Sequence, residues 1–167
     1  MTAVHGRPKG RQFEKQLPDR SVMDIKELVQ KSVDEWNAKD KKAFVANFTE
    51  RSKITGPGGL VLHGLEGVEK LWDVWQGALP DNQGAIGDVF ASGDRACAEV
   101  VFEGTQTGTL YIADGQIPAT GRRVSVPIAQ IHTVCDDKFV TSHLYFDQFG
   151  LLAELGLIPI SGAAAGN

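Results

Sequence analysis

The spacing of apolar residues predicts three helices in the first half of the chain. Apolar side chains recur at intervals of three and four over residues 25–36, a period typical of an amphipathic helix. Ser21 is suited to begin that helix, and Asp40 is suited to cap a second, short helix over residues 41–48. A third apolar stripe over residues 64–78 predicts a longer helix.

The second half of the chain alternates between apolar and polar residues, which predicts strands. We expect strands over residues 85–92 and 95–112, then two long strands within residues 120–147. The sequence Gly-Pro-Gly-Gly at residues 56–59 predicts the turn of an earlier, smaller hairpin. Helices followed by antiparallel strands indicate an α+β fold. The expected architecture is a cone-shaped α+β barrel, with three N-terminal helices packed on a strongly curved antiparallel sheet.

The two long strands are expected to form a hairpin that turns at Asp136-Asp137. An even-residue turn there would place Gln130 opposite His143. Because side chains alternate along a strand, one face of the hairpin would then carry all the polar side chains of interest. These residues are Gln130, His132, His143, Tyr145 and Asp147.

This polar face has two interpretations, a solvent-exposed face or the polar floor of an apolar cavity. Histidine and tyrosine dominate it, whereas an ordinary solvated face is richer in lysine and glutamate. Asp147 also lies between Phe146 and Phe149, and an apolar setting suits a carboxyl group that accepts and returns a proton. These two observations favour the cavity.

Aromatic residues on the predicted helices are candidates for the rest of the cavity wall. Trp36, Phe48 and Trp75 are expected in the core, where each could also border the cavity. His63 follows the small hairpin, and a histidine in that position is more often structural than ligand-binding.

Length and charge narrow the classes of function. A chain of 167 residues suits one domain, expected over residues 21–158, with an N-terminal arm (1–20) and a C-terminal tail (159–167). The net charge of −4 argues against a nucleic-acid surface, and no apolar run is long enough for a membrane span. Cys97 and Cys135 have no metal-ligand spacing, so we expect neither a metal site nor a disulfide. A cytoplasmic protein that acts on a small molecule is the expectation.

Five segments together resemble the SnoaL-like polyketide cyclase or ester cyclase family, within the nuclear-transport-factor-2-like superfamily. They are Trp36 with Lys39-Asp40, GLEGVEKLW (64–72), FEGTQTG (102–108), PATGRRV (118–124) and YFDQFGLLAELG (145–156). The resemblance covers about residues 22–157 and implies an α+β cone.

The resemblance also implies an activity. Members close a ring by intramolecular aldol condensation on a polyketide ester, without metal or cofactor. The family's acid/base aspartate, just before the terminal helix, matches Asp147, and its assisting histidine matches His132. Many members carry a histidine within the segment matching FEGTQTG, where this chain has Gln106, so Gln106 becomes a candidate substrate contact in its place. A small aromatic or polyketide-like substrate is expected.

Three other functions stay open. A ketosteroid-isomerase-like enzyme would use Asp147 as base and His143 or Tyr145 as donors. An epoxide hydrolase would need an Asp-Arg-Asp set, for which Arg95 and Arg122 are the available strand arginines. A non-catalytic binding module would leave Asp147 solvated or salt-bridged.

A homo-oligomer, most simply a homodimer, is also expected. The small side chains of Ala96, Ala98 and Val100 share one face of a predicted strand. They would pack well against a second copy of the chain.

Overall fold

The computed structural model describes residues 24–112 and 115–158. The expected N-terminal arm (1–20), Ser21 and the expected tail (159–167) lie outside the described residues. Within these residues the predicted α+β architecture is confirmed.

Each predicted helix is present, and a side-chain cap marks the start of α1, α2 and α4. The described helices are α1 (Ile25–Asn37), α2 (Lys41–Val45), α3 (Gly64–Ala78) and α4 (Gln148–Glu154). Asp24 caps α1 by accepting the backbone N–H of Lys26 at 3.0 Å, and Asp40 caps α2 by accepting that of Ala43 at 2.9 Å. The second helix is shorter than predicted, because Phe48 already begins a strand.

Six strands form one open, curved sheet in the order β2-β1-β8-β7-β4-β3. The prediction of a purely antiparallel sheet is wrong, because β1 and β8 run parallel. The sheet is not closed into a barrel either, since β2 and β3 are its two edges. The strands are β1 (Phe48–Gly56), β2 (Leu60–His63), β3 (Gln83–Ser92), β4 (Arg95–Thr105), β7 (Arg123–Cys135) and β8 (Lys138–Phe146).

A separate two-stranded sheet interrupts the predicted strand over residues 95–112. It consists of β5 (Leu110–Ile112) and β6 (Gly115–Ile117). The chain leaves the main sheet at the end of β4 and returns to it at β7. Leu110 and Ile117 of this small hairpin are buried in a core cluster that also contains Ala78 and Leu79.

One face of the main sheet, here called the inner face, packs against α1, α2 and α3. Ala96, Ala98 and Val100 of β4 lie in this core and are almost fully buried. They therefore do not form the surface for a second copy that the sequence suggested. Ala96 lies opposite His132 and Ala98 opposite Gln130 on β7, so these small side chains leave space beside two larger polar ones.

Buried Asn82 ties α1 and α3 to the sheet. Its Oδ1 accepts the indole N–H of Trp36 at 2.6 Å, and its Nδ2 donates to Gln76 Oε1 at 3.0 Å. At the end of α1, Asn37 forms hydrogen bonds to both backbone groups of Gly84, each at 2.7 Å. These contacts fix the position of Trp36 above the inner face.

We expect Gly108→Ala to destabilise the protein by about 1–3 kcal/mol, as overpacking typically does. A Cβ at position 108 would overlap the carbonyl oxygen of Gly77, and the Gly108 N–H donates to the Ala78 carbonyl at 3.0 Å. The matched control is Gly77→Ala, whose Cβ meets nothing within 4 Å and which should stabilise α3 by up to about 1 kcal/mol. Urea unfolding measures both, and changes of the same sign would contradict the prediction.

Candidate active site

The tight turn predicted at Asp136-Asp137 is present, and both residues have positive φ angles (50° and 57°). Beside the turn, Val134 pairs with Phe139 as expected. The register then shifts between Val134 and Thr133, so that Val140 is an extra residue in β8. Beyond this bulge the predicted register is wrong by one residue.

The shift reverses which β8 side chains share a face with β7. His132 lies opposite Ser142 and Gln130 opposite Leu144, whereas His143 lies opposite Ile131. His132 and Gln130 therefore point to the inner face, while His143 and Tyr145 point to the outer face. The prediction of one polar face for the whole hairpin is wrong.

The residues on the outer side have other surroundings. Tyr145 is 56% exposed, and His143 Nδ1 forms a 2.7 Å hydrogen bond with the Thr55 hydroxyl. Asp147 is exposed at the N-terminus of α4, where its Oδ1 accepts the backbone N–H of Gly150 at 2.9 Å. The expectation that Asp147 and His132 share an apolar cavity is therefore wrong, because the Asp147 carboxylate caps a helix.

Gln106 and His63 also lie outside the cavity. The fully buried Gln106 amide donates to the Ile117 and Pro118 carbonyls, each at 3.2 Å, and accepts the Thr120 hydroxyl at 2.7 Å. It thus holds the base of the β5–β6 hairpin and has no free group for a substrate. His63 is exposed and precedes α3.

Between the inner face and the helices lies a chamber of about 110 Å³. Its polar side chains are Ser32, Gln130, His132 and Ser142. The predicted cavity residues Trp36, Phe48 and Trp75 do line it. Ser142 and Leu144 line it as well, although the predicted register placed them on the other face of the hairpin. The aromatic wall consists of Trp36, Phe44, Phe48, Trp75, Phe102 and Phe139, with Phe146 at one end.

His132 is the central polar group of this chamber. Its side chain is 5% exposed, and its ring lies 4.4 Å from the ring of Phe139. Nδ1 is 2.8 Å from Ser142 Oγ, and Nε2 is 3.3 Å from Gln130 Oε1. Burial, and secondarily the nearby His143, lowers the pKa of His132 to about 4. The ring is therefore neutral at pH 7.

Gln130 Oε1 can only accept a hydrogen bond, so in this geometry Nε2 carries the ring proton and donates it to Gln130. The Ser142 hydroxyl can donate to Nδ1 or accept from it. The other neutral form, with the proton on Nδ1 and a free lone pair on Nε2, becomes possible when the Gln130 side chain turns away from Nε2. In the form with the proton on Nε2, that N–H can donate to a carbonyl oxygen. His132 can thus act as a base or as a neutral hydrogen-bond donor.

No carboxylate or arginine side chain lines the chamber among the described residues. Arg95 and Arg122, the candidates for an epoxide-opening site, are exposed. Within residues 24–112 and 115–158 there is also no cluster of three potential metal ligands, and no helix is long and apolar enough to cross a membrane.

A second space of about 550 Å³, here called the vestibule, adjoins the chamber. The two share the side chains of Leu71, Trp75, Leu144 and Phe146. Strand β2, helices α3 and α4 and the β5–β6 hairpin form its apolar walls. Typical wall residues are Leu60, Leu62, Leu110, Ile117, Leu151 and Leu152.

A curved mixed sheet with helices on one face defines the NTF2-like, ketosteroid-isomerase-like fold. Residues 29–143 match the model of the SnoaL-like domain, and the chain belongs to that family. No curated protein shows significant sequence similarity to this chain.

Solved structures agree with this assignment. A candidate SnoaL-like polyketide cyclase from Jannaschia sp. CCS1 superposes with a TM-score of 0.72 at 20% identity, covering 84% of this chain and 99% of that one. TsrD from Streptomyces laurentii has a TM-score of 0.68 at 27% identity, covering 80% and 96%. IdmH, a candidate polyketide cyclase from Streptomyces antibioticus, has a TM-score of 0.65 at 21% identity, covering 78% and 97%. Proteins described as a hydroxylase and as an epoxide hydrolase share the fold too, so the fold alone does not select a reaction.

The low pKa of His132 predicts that stability falls as the pH is lowered from about 6.5 to about 4. In that range the unfolded chain binds a proton at His132 and the folded chain does not. Between pH 7 and pH 4.5 the wild type should lose on the order of 2–3 kcal/mol more than His132→Gln. Urea unfolding at both pH values measures the difference. The control is the exposed His63→Gln, which should keep the wild-type pH dependence; equal pH dependence in wild type and His132→Gln would contradict the prediction.

Proposed function

We propose that this protein is a cofactor-independent enzyme of the cyclase type, and that His132 is its acid/base residue. The supporting observation is the neutral, buried His132 in an aromatic chamber, with Ser142 and Gln130 on its two ring nitrogens. The substrate is a flat, apolar carbonyl compound, and the reaction is an intramolecular aldol-type ring closure.

In this mechanism His132 moves one proton twice. Substrate binding turns the Gln130 amide away from the ring, which then takes the neutral form with its proton on Nδ1, donated to Ser142 Oγ. Nε2 takes a proton from a carbon between two carbonyl groups, which leaves an enolate beside the imidazolium. The enolate carbon attacks a second carbonyl of the same molecule and forms the new carbon–carbon bond. The imidazolium then returns the proton to the resulting alkoxide, and the ring becomes neutral again. No atom or electron is left over.

The lowered pKa of His132 determines which substrates are suitable. A histidine with a pKa of about 4 is a weak base, so the carbon acid must already be activated by two carbonyl groups. The same property makes the imidazolium a strong acid, which favours the return of the proton. Asp147 has no part in this mechanism, and the catalytic role that the family resemblance implies for it stays a prediction.

A second candidate function is non-catalytic binding of a small apolar molecule. The chamber has no carboxylate among the described residues, and Asp147 is solvated, as the hypothesis of a binding module requires. Such a protein would bind flat apolar compounds without converting them.

The base is tested with 5-nitrobenzisoxazole, a flat neutral probe that opens when one C–H proton is removed and releases a coloured phenolate. We expect His132→Gln to lower kcat/KM by about 10²–10⁴, the usual contribution of a general base. The wild-type rate should be constant above about pH 5, because the ring is already deprotonated there. Ser142→Ala should cause a smaller loss, since Ser142 only positions the ring.

Asp147→Asn is the matched control, because asparagine is an equally good helix cap, and its rate should stay within about twofold of wild type. Circular dichroism checks that each variant is folded. A larger loss in Asp147→Asn than in His132→Gln would reverse the two roles. Binding of the probe without turnover in the wild type would favour the binding module.

We also propose a homodimer, formed by the outer face of the sheet in place of the buried β4 residues. Phe90, Val101 and Tyr145 lie exposed on that face, and an exposed apolar surface of this kind marks an interaction site. Light scattering at micromolar concentration should give the mass of a dimer, and Val101→Lys should give a monomer. The control Phe149→Lys, on α4, should stay dimeric. A monomeric wild type would contradict the proposal.

A further inference from the structure

A charged side chain lies among the apolar walls of the vestibule. Among the described residues that line it, Lys70 of α3 alone carries a charge, and Tyr111 and Gln148 supply neutral polar groups. The remaining walls are apolar. An isolated positive charge at the edge of an apolar space is suited to a ligand that is apolar along most of its length and negative at one point.

Within the described part of the chain, Lys70 forms no ion pair. Two acidic neighbours on α3 are held by another lysine instead, since Lys41 Nζ lies 2.8 Å from Asp73 and 3.9 Å from Glu69. Glu66, one turn before Lys70, is the internal competitor, but a pair between exposed side chains on one helix is weak. The Lys70 ammonium is thus available to a ligand.

The two spaces also set the shape of the ligand. A cavity of about 150 Å³ holds one benzene ring, so the chamber of about 110 Å³ accepts only one ring or a short reactive end. The larger vestibule must hold the body of any multi-ring molecule. Because the spaces share Trp75 and Phe146, one elongated molecule can occupy both.

We propose that the substrate is an elongated, apolar carboxylic acid whose carboxylate binds Lys70 in the vestibule while its dicarbonyl end lies beside His132. This assignment rests on the proposed function, because it takes the chamber as the place of reaction. A carboxylate is favoured over a phosphate, since one lysine balances the single charge of a carboxylate but only part of the charge of a phosphate monoester.

The test compares two fluorescent probes that differ by one anionic group. 8-Anilinonaphthalene-1-sulfonate is negative, and N-phenyl-1-naphthylamine is the same ring system without the sulfonate. Lys70→Gln should weaken binding of the anionic probe by about three- to tenfold and change binding of the neutral probe by less than about twofold. Lys42→Gln, on the exposed side of α2, is the matched control and should change neither. Equal effects on the two probes in Lys70→Gln, or no binding of the anionic probe by the wild type, would overturn the proposal.

Two further measurements define the site. Val74→Trp fills the vestibule and should weaken both probes; unchanged binding of both would place the anionic site elsewhere and overturn the proposal. In displacement of the anionic probe, 1-naphthoate should compete better than 1-naphthyl phosphate, and the reverse order would overturn the assignment of a carboxylate.

These binding measurements need no turnover, so their failure is distinct from failure of the proposed reaction. If His132→Gln retains the reaction with 5-nitrobenzisoxazole, the acid/base proposal fails. The charge preference of the vestibule is still tested separately by the two fluorescent probes. If the charge preference is absent, the reaction of the neutral probe is unaffected by that result.

Discussion

The pairing of β7 with β8 determines the chemistry of the cavity, and it depends on one extra residue, Val140. A bulge of this kind turns every following side chain of its strand to the other face. It brings Ser142 to the inner face beside His132, together with the apolar side chains of Leu144 and Phe146. The same turn removes His143 and Tyr145 from the cavity. A side chain that could ionise is thus replaced by a hydroxyl, which accepts or donates a hydrogen bond and stays uncharged.

The surroundings of His132 follow from this exchange. A second titratable group on the inner face would compete for protons and bring water with it, whereas serine and glutamine satisfy both ring nitrogens as neutral partners. Burial of the His132 ring then costs little free energy, because both nitrogens of the neutral ring form hydrogen bonds. The small side chains of Ala96 and Ala98 on the next strand keep the neighbouring space open. Solvation, hydrogen bonding and packing therefore act together at this one ring.

Much of the fold could be predicted from the sequence, because local signals are strong where they occur. The spacing of apolar residues predicts α3, the capping residue Asp40 predicts the start of α2, and the turn at Asp136-Asp137 lies where the sequence predicts it. The site was harder. Trp36 and Trp75 could be found as large aromatics on inward stripes, but no local pattern marks Val140 as an extra residue, since a valine fits either position of a strand. Nor does the sequence separate a carboxylate that caps a helix from one that enters a cavity: Asp147 followed by an apolar helix fits both.

The anchoring of the β5–β6 hairpin separates two parts of the molecule that natural variation could change independently. One buried amide, Gln106, fixes the base of the hairpin through backbone groups, which are present whatever side chains the hairpin carries. Residues such as Tyr111 can therefore be exchanged without disturbing either the anchor or the strands that hold His132. The fold thereby permits new substrate preferences to arise around an unchanged reactive centre. Related proteins could then differ most in this hairpin while retaining the same acid/base chemistry.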